Sequence, residues 1–222
     1  MDDVMDGAPT VRWWTEGGFE GPWPAPAPAP SCAAATAAMP GGDGLRIVGV
    51  RGLGEREAAR RTIRVALVAA LADVTGVSPA RIRLGGSPGE APFASVSCES
   101  NDERRIGLAI SHDGAVSVAA FRLDGGAVGI DVMQVTDVPD WEAVARDYLG
   151  PERTAALGRV PPAARADAFA RAWSEREARL KCIGMPLAEW NAAETSRLGA
   201  CTCRAIALPA GYVGTVAEIA AG

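Results

Sequence analysis

One histidine, His112, serves all 222 residues, so no histidine cluster exists to complete a zinc-type ligand set. Cysteine is scarce as well. The five residues Cys32, Cys98, Cys182, Cys201 and Cys203 are odd in number and scattered, which argues against a disulfide framework and makes reduced thiols the default. Cys201-Thr-Cys203 has the look of a metal pair but no second pair to join it, and a strand face is the simpler reading. Positive charge is also short: 22 Lys and Arg against 27 Asp and Glu leave a net charge of −5. That excludes a broad basic field for nucleic acid, so any polyanion must be met by a few placed cations in a local cleft. No run approaches the roughly 20 apolar residues of a membrane span, and Met1-Asp2-Asp3 lacks the positive region of a secretory signal. The expectation is a cytoplasmic protein with no nucleic-acid or membrane partner.

What is present is a soluble globular composition, 48% hydrophobic and 22% charged, with material for one good core or two small ones. Residues 1–44 stand apart. At their centre Pro22-Trp-Pro-Ala-Pro-Ala-Pro-Ala-Pro30 removes backbone donors and favours extended geometry, which reads as a flexible Pro/Ala-rich segment. Trp13, Trp14 and Trp23 leave two alternatives open, a disordered tail with incidental aromatics or a tail that docks on the body or on a partner.

From residue 45 the pattern reads as a strand at Leu45 to Val50 and a helix from about Glu55 to Asp73, whose Ile63, Leu67, Ala70, Leu71 and Val74 recur at helical spacing. Arg60 and Arg64 share another face of it; a solvated surface and a pair of phosphate contacts both account for them. Four β-like runs follow, Pro92 to Cys98, Ile106 to Ser111, Ala115 to Arg122 and Ala127 to Met133. Asp113-Gly114 and Asp124-Gly-Gly126 punctuate the last three, which read as an antiparallel meander. Tight turns at both points would bring Asp131 about 10 Å along the sheet from His112. Helical patterning returns weakly at Trp141 to Leu149 and strongly from Pro162 to Lys181, and a hairpin at about Leu198–Ala207 and Tyr212–Ile219 closes the chain. The order predicts an α+β protein with helices packed on antiparallel sheets.

Two places carry chemistry. In the second long helix Phe169, Trp173, Glu177 and Lys181 are spaced by four and form one stripe, apolar at its start and ionic at its end. A surface Glu177–Lys181 pair contributes only about 0.2–0.5 kcal/mol; the alternative is a carboxylate and an ammonium lining a site. In Gly129-Ile-Asp-Val-Met133 an acid sits inside an apolar strand, which is costly unless it is paired or holds a metal. Asp131 and Glu177 together make a candidate magnesium site, because Mg²⁺ takes one or two carboxylates and fills its octahedron with water and phosphate.

Gly129-Ile-Asp131, followed about forty residues later by Trp173-Ser-Glu-Arg-Glu-Ala-Arg-Leu-Lys181 and preceded by Ile110-Ser-His112, resembles the phosphopantetheinyl transferase superfamily. The resemblance runs from about residue 45 to the end and takes in Leu84-Gly-Gly-Ser-Pro88, Pro186-Leu187 and Gly211-Tyr212. It implies the surfactin-type branch: two pseudo-symmetric halves, about 45–125 and 126–222, each a small antiparallel sheet on a long helix, in one domain of residues 45–222. The implied activity is transfer of the 4′-phosphopantetheine arm of coenzyme A to a serine of an acyl or peptidyl carrier protein of fatty-acid, polyketide or nonribosomal-peptide assembly. Asp131 and Glu177 would hold Mg²⁺, and Lys181 would contact the same phosphates. Ser111 and His112 would bind a coenzyme A phosphate, and Arg60, Arg64 and the loop Gly85, Gly86, Ser87 and Pro88 would complete the cradle. Glu177, directly or through a metal-bound water, would be the base for the serine hydroxyl. One chain supplies both sides of the cleft, so the implied state is a monomer.

Two positions depart from the family pattern. Its frequent D-x-E becomes Asp131-Val-Met133, and a thioether is a poor ligand for a hard cation. Gln134 cannot substitute, since strand alternation points it to the other face. Ser87 stands where lysine is usual, which predicts the loss of one phosphate or carrier contact. These departures motivate a rival expectation, a noncatalytic module that binds carrier protein or coenzyme A and keeps the fold.

Overall fold

The computed structural model describes residues 9, 11–15, 18–20, 44–52, 55–86, 90–97 and 102–219. Among these the strands are β1 (Val11–Thr15), β2 (Gly18–Phe19), β3 (Leu45–Arg51), β4 (Ile82–Gly85), β5 (Phe93–Ser97), β6 (Glu103–Asp113), β7 (Val116–Arg122), β8 (Ala127–Gln134), β9 (Thr202–Ala205) and β10 (Tyr212–Ile219). The helices are α1 (Arg56–Thr75), α2 (Trp141–Val144), α3 (Pro151–Gly158), α4 (Pro162–Cys182) and α5 (Thr195–Gly199), with a single π turn at Ala145–Leu149 after α2. The fold is α+β. No helix among the described residues is long and apolar enough to cross a membrane.

Strand alternation builds four layers. In the first sheet, of order β2-β1-β3-β7-β6-β5-β4, Val48, Val50, Ala119 and Phe121 face α1, where Ile63, Leu67, Ala70 and Leu71 form the buried stripe that the spacing predicts. Burying each of the large aliphatic side chains fully stabilises the fold by about 1.5–3 kcal/mol. The opposite face of that sheet, with Leu45, Ile47, Val118 and Ala120, meets Val128, Ile130 and Val132 of β8 and Val216 of β10. These belong to the second sheet, β8-β10-β9, whose other side packs on α4. Strand β7 is therefore buried along its whole length.

The predicted meander is corrected at its last strand. β6 and β7 pair as the meander requires, but β8 leaves the sheet and pairs over its full length with β10. The reason is that β7 already has β3 on one edge and β6 on the other, so no edge remains for β8. Asp124 turns the chain outward, accepting the Gly126 N–H and pairing with Arg122.

The first sheet is also larger than expected, and it is mixed. Val11–Thr15, expected within a flexible segment, adds a strand parallel to β3. Trp13 lies where a side chain at position 49 would project, so Gly49 makes its seat, and Arg51 stacks on the Trp13 ring at 4.3 Å. The proline run and Trp23 lie outside the described residues. A third correction concerns Gly85, read as part of a loop: it ends β4 and pairs with Phe93. The closing hairpin and both long helices form as predicted, within a few residues at their ends.

Candidate active site

Close packing of β8 on α4 sets the site. Residues 128, 130 and 132 face the first sheet, so 129, 131 and 133 face α4. A Cβ on Gly129 would come within 1.9 Å of the Ala178 carbonyl oxygen, so only glycine lets helix and strand approach this closely. One strand step on, Asp131 meets Lys181, Nζ to Oδ1 at 2.6 Å, and the Lys181 ammonium lies 3.5 Å from Glu177 Oε2.

Strand β6 supplies the rest of this cluster. Ser111 Oγ donates to Asp131 Oδ1 at 2.7 Å and accepts the Val132 N–H at 3.2 Å, while Asp113 Oδ2 accepts the Gln134 N–H at 2.7 Å. Alternate side chains of β6 thus satisfy the outer edge of β8 and join the two sheets without a backbone ladder. Ser174, fully buried in α4, donates to the Asp131 carbonyl oxygen, and the Tyr212 hydroxyl accepts the Ala115 N–H at the turn after β6.

Burial raises the Asp131 carboxyl to about 6, with Glu177 adding to the rise and Lys181 and Ser111 opposing it. A carboxylate kept out of water beside a second carboxylate is poised to accept a cation.

A cavity of about 1080 Å³ opens over this cluster. Arg56, Arg60, Arg61 and Arg64 of α1 line one wall, and Gly85 and Gly86 lie at the end of β4. Ser111, His112 and Asp113 come from β6, Asp131 and Met133 from β8, and Trp173, Glu177 and Lys181 from α4. Four guanidinium groups and Glu57 stand on the α1 side, and Asp131 and Glu177 with the Lys181 ammonium stand on the β8–α4 side. His112 Nδ1 is 2.7 Å from Ser117 Oγ. Arg60 reaches Glu57 only at 3.8 Å, with both side chains more than half exposed, a pairing too weak to hold it from a ligand.

All the sequence-predicted site residues that are described gather here: Arg60, Arg64, Gly85, Gly86, Ser111, His112, Asp131, Glu177 and Lys181. Ser87 and Pro88 lie outside the described residues. Sequence reasoning missed Ser174, Asp113, Arg56 and Arg61. It also missed that the Trp173 indole N–H donates to Glu177 Oε1 at 3.0 Å, although the spacing by four on α4 was the available signal. Cys182, Cys201 and Cys203 pack together in an apolar cluster on Ala178; burial pushes Cys182 up to about 12 and Cys203 up to about 11, so the Cys182 and Cys203 thiols stay protonated at neutral pH. A second cavity of about 630 Å³, between α3, α4 and residues 190–199, holds none of the predicted site residues, and its Glu175 is already paired with Arg153 and Arg179.

Residues 127–212 match the family model described as the 4′-phosphopantetheinyl transferase superfamily. That segment of the chain is similar to this superfamily. It contains Asp131, Glu177 and Lys181, and it leaves the arginines of α1 and the Ser111-His112 step of β6 outside the match. No curated protein matches the chain. The segment similar to the superfamily thus carries Asp131, Glu177 and Lys181 of the cavity, and the α1 arginines are placed across from it by the fold.

Proposed function

We propose that the protein is a surfactin-type 4′-phosphopantetheinyl transferase, using coenzyme A to convert an apo acyl or peptidyl carrier protein to its holo form, with release of 3′,5′-ADP. The observation that carries this reading is the shared cavity: the carboxylate–ammonium cluster in the segment similar to the superfamily faces four arginines of α1. A pyrophosphate-bearing nucleotide fits such a polarised cleft. α1 on one sheet and α4 on the other form its two sides, which agrees with a pseudo-symmetric monomer.

The donor set suits magnesium. Asp131 and Glu177 already converge on one cation, the Lys181 ammonium, and the surrounding donors are hard oxygen atoms. Among the described residues no three acidic, histidine or cysteine side chains gather as a full metal cage, so water and phosphate would complete the shell. Held by Asp131 and Glu177, Mg²⁺ would neutralise the pyrophosphate as the 3′,5′-ADP leaving group departs.

The chain's own groups do the rest. Arg60, Arg64 and His112 bind the nucleotide phosphates, and Lys181 turns its ammonium from Asp131 to the pyrophosphate. Glu177 takes the proton of the carrier serine as its oxygen attacks phosphorus. Before the nucleotide binds, Asp131 holds the Lys181 ammonium at the site.

Incubation with coenzyme A, Mg²⁺ and a panel of apo carrier proteins tests the proposal. The expected result is a mass gain of one phosphopantetheine arm on at least one carrier, lost in Asp131→Ala and in Glu177→Ala while both variants melt cooperatively. Coenzyme A binding indifferent to Mg²⁺, with no transfer to any carrier, would instead identify a noncatalytic module.

A further inference from the structure

Glu177 is engaged at both of its oxygens. Oε1 accepts the Trp173 indole N–H at 3.0 Å, and Oε2 faces the Lys181 ammonium at 3.5 Å, so three side chains on successive turns of α4 form one chain of contacts. The indole has little freedom to turn. Phe169 stacks on it one turn earlier, with ring centroids 5.9 Å apart and planes at 21°, and Tyr148 leans on it at 5.5 Å. Met133 packs into the same cluster. Its side chain shares the Asp131 face of β8 and offers no atom suited to a hard cation. What it supplies is apolar packing on the buried cluster that the tryptophan also packs on.

Resting on the magnesium reading above, we infer that Trp173 is a positioning residue for the divalent ion. Its N–H occupies Oε1 of Glu177 and leaves Oε2 turned toward the point that Glu177 shares with Asp131, which the Lys181 ammonium marks. Two carboxylates can then hold the ion without a third on β8, because one of them is oriented before the ion arrives. A hydrogen bond that fixes a metal-ligating carboxylate typically governs about 10- to 100-fold in metal affinity.

The test uses the full chain with saturating coenzyme A and reads Mn²⁺ uptake by electron paramagnetic resonance. Trp173→Phe keeps an aromatic ring against Phe169 and Tyr148 while it removes the N–H together with part of the bulk of the indole. It is expected to weaken Mn²⁺ binding about 10- to 100-fold, with metal-free coenzyme A affinity unchanged. A role in packing alone would lower the melting temperature and leave Mn²⁺ affinity as it was, and that outcome overturns the inference. Wild-type protein provides a second measurement that holds even if the variant fails to fold. Of its six tryptophan indole N–H resonances, one is expected to shift on Mg²⁺ addition, and six unmoved resonances count against the role. Wild type that takes up no Mn²⁺ beside coenzyme A overturns the magnesium reading together with this inference, whereas normal wild-type uptake with an equally avid Trp173→Phe overturns the inference alone.

Discussion

Gly129→Ala is the substitution that most directly tests how strand and helix bring the two acids together. The new methyl carbon would lie 1.9 Å from the Ala178 carbonyl oxygen and 2.5 Å from the Cys182 nitrogen. Both are backbone atoms inside a regular helix, so no side chain can rotate out of the way. Restoring ordinary contact needs α4 to move off β8 by about 1.5 Å, and overpacking of this kind costs about 1–3 kcal/mol. Since the obstruction is rigid, the upper end applies, a fall in melting temperature of about 6–12 °C for a chain of this size. The displacement also separates groups on different elements: Asp131 and Ser111 stay with the sheets, while Glu177 and Lys181 travel with α4. A misplacement of about 1 Å can cost about a hundredfold in rate, so transfer should fall by at least that factor in protein that is still folded at the assay temperature. Differential scanning calorimetry, transfer followed by mass spectrometry and Mn²⁺ titration give the three readouts. A variant that melts within a degree of wild type and transfers normally would refute the account of how Asp131 and Glu177 are registered.

Asp131 gives stability an unusual pH dependence. Its carboxyl lies at about 6 in the fold against 3.8 in the unfolded chain, so the folded state holds the proton more tightly. The contribution is fully present below about pH 4 and lost as pH rises through about 6, on the order of 3 kcal/mol. Urea unfolding of metal-free protein between pH 4 and pH 7 should show wild type losing stability relative to Asp131→Asn over that interval; parallel curves would contradict it. Arg122→Met removes the guanidinium that joins β7 to Glu218 of β10. Breaking a buried pair costs about 3–5 kcal/mol, and since Arg204 still accompanies Glu218, a loss near about 2–3 kcal/mol is expected from denaturant midpoints. Arg60→Ala and Arg64→Ala should each weaken coenzyme A binding about tenfold, with less effect at high salt, and leave the melting temperature within about a degree. Isothermal titration at two ionic strengths checks this, and unchanged affinity in both variants would remove α1 from the site.

Much of the site was legible because its residues are tied to local pattern. The spacing by four along α4 puts Trp173, Glu177 and Lys181 on one stripe, and these three line the cavity. An acid amid Gly129-Ile-Asp-Val-Met133 announces a cost that some partner must offset. The α1 arginines were half legible: their shared face follows from helical geometry, but whether that face meets solvent or a ligand depends on what stands across from it. Ser174 and Asp113 were not legible, because their partners are backbone groups of another element.

Local pattern was enough for the two long helices, for β3 and β5–β8 and for the closing hairpin, and for the residues able to carry charge and oxygen ligation and the gap at Met133, since periodicity, turn chemistry and side-chain type are local properties. Only the tertiary structure decided where β8 goes. Insertion of β3 beside β7 closed the edge that the meander needed, sent β8 to pair with β10, and so laid Asp131 against α4 within 2.6 Å of Lys181. Strand pairing across distant parts of the chain is settled by competition among all available edges, and no segment holds that information alone.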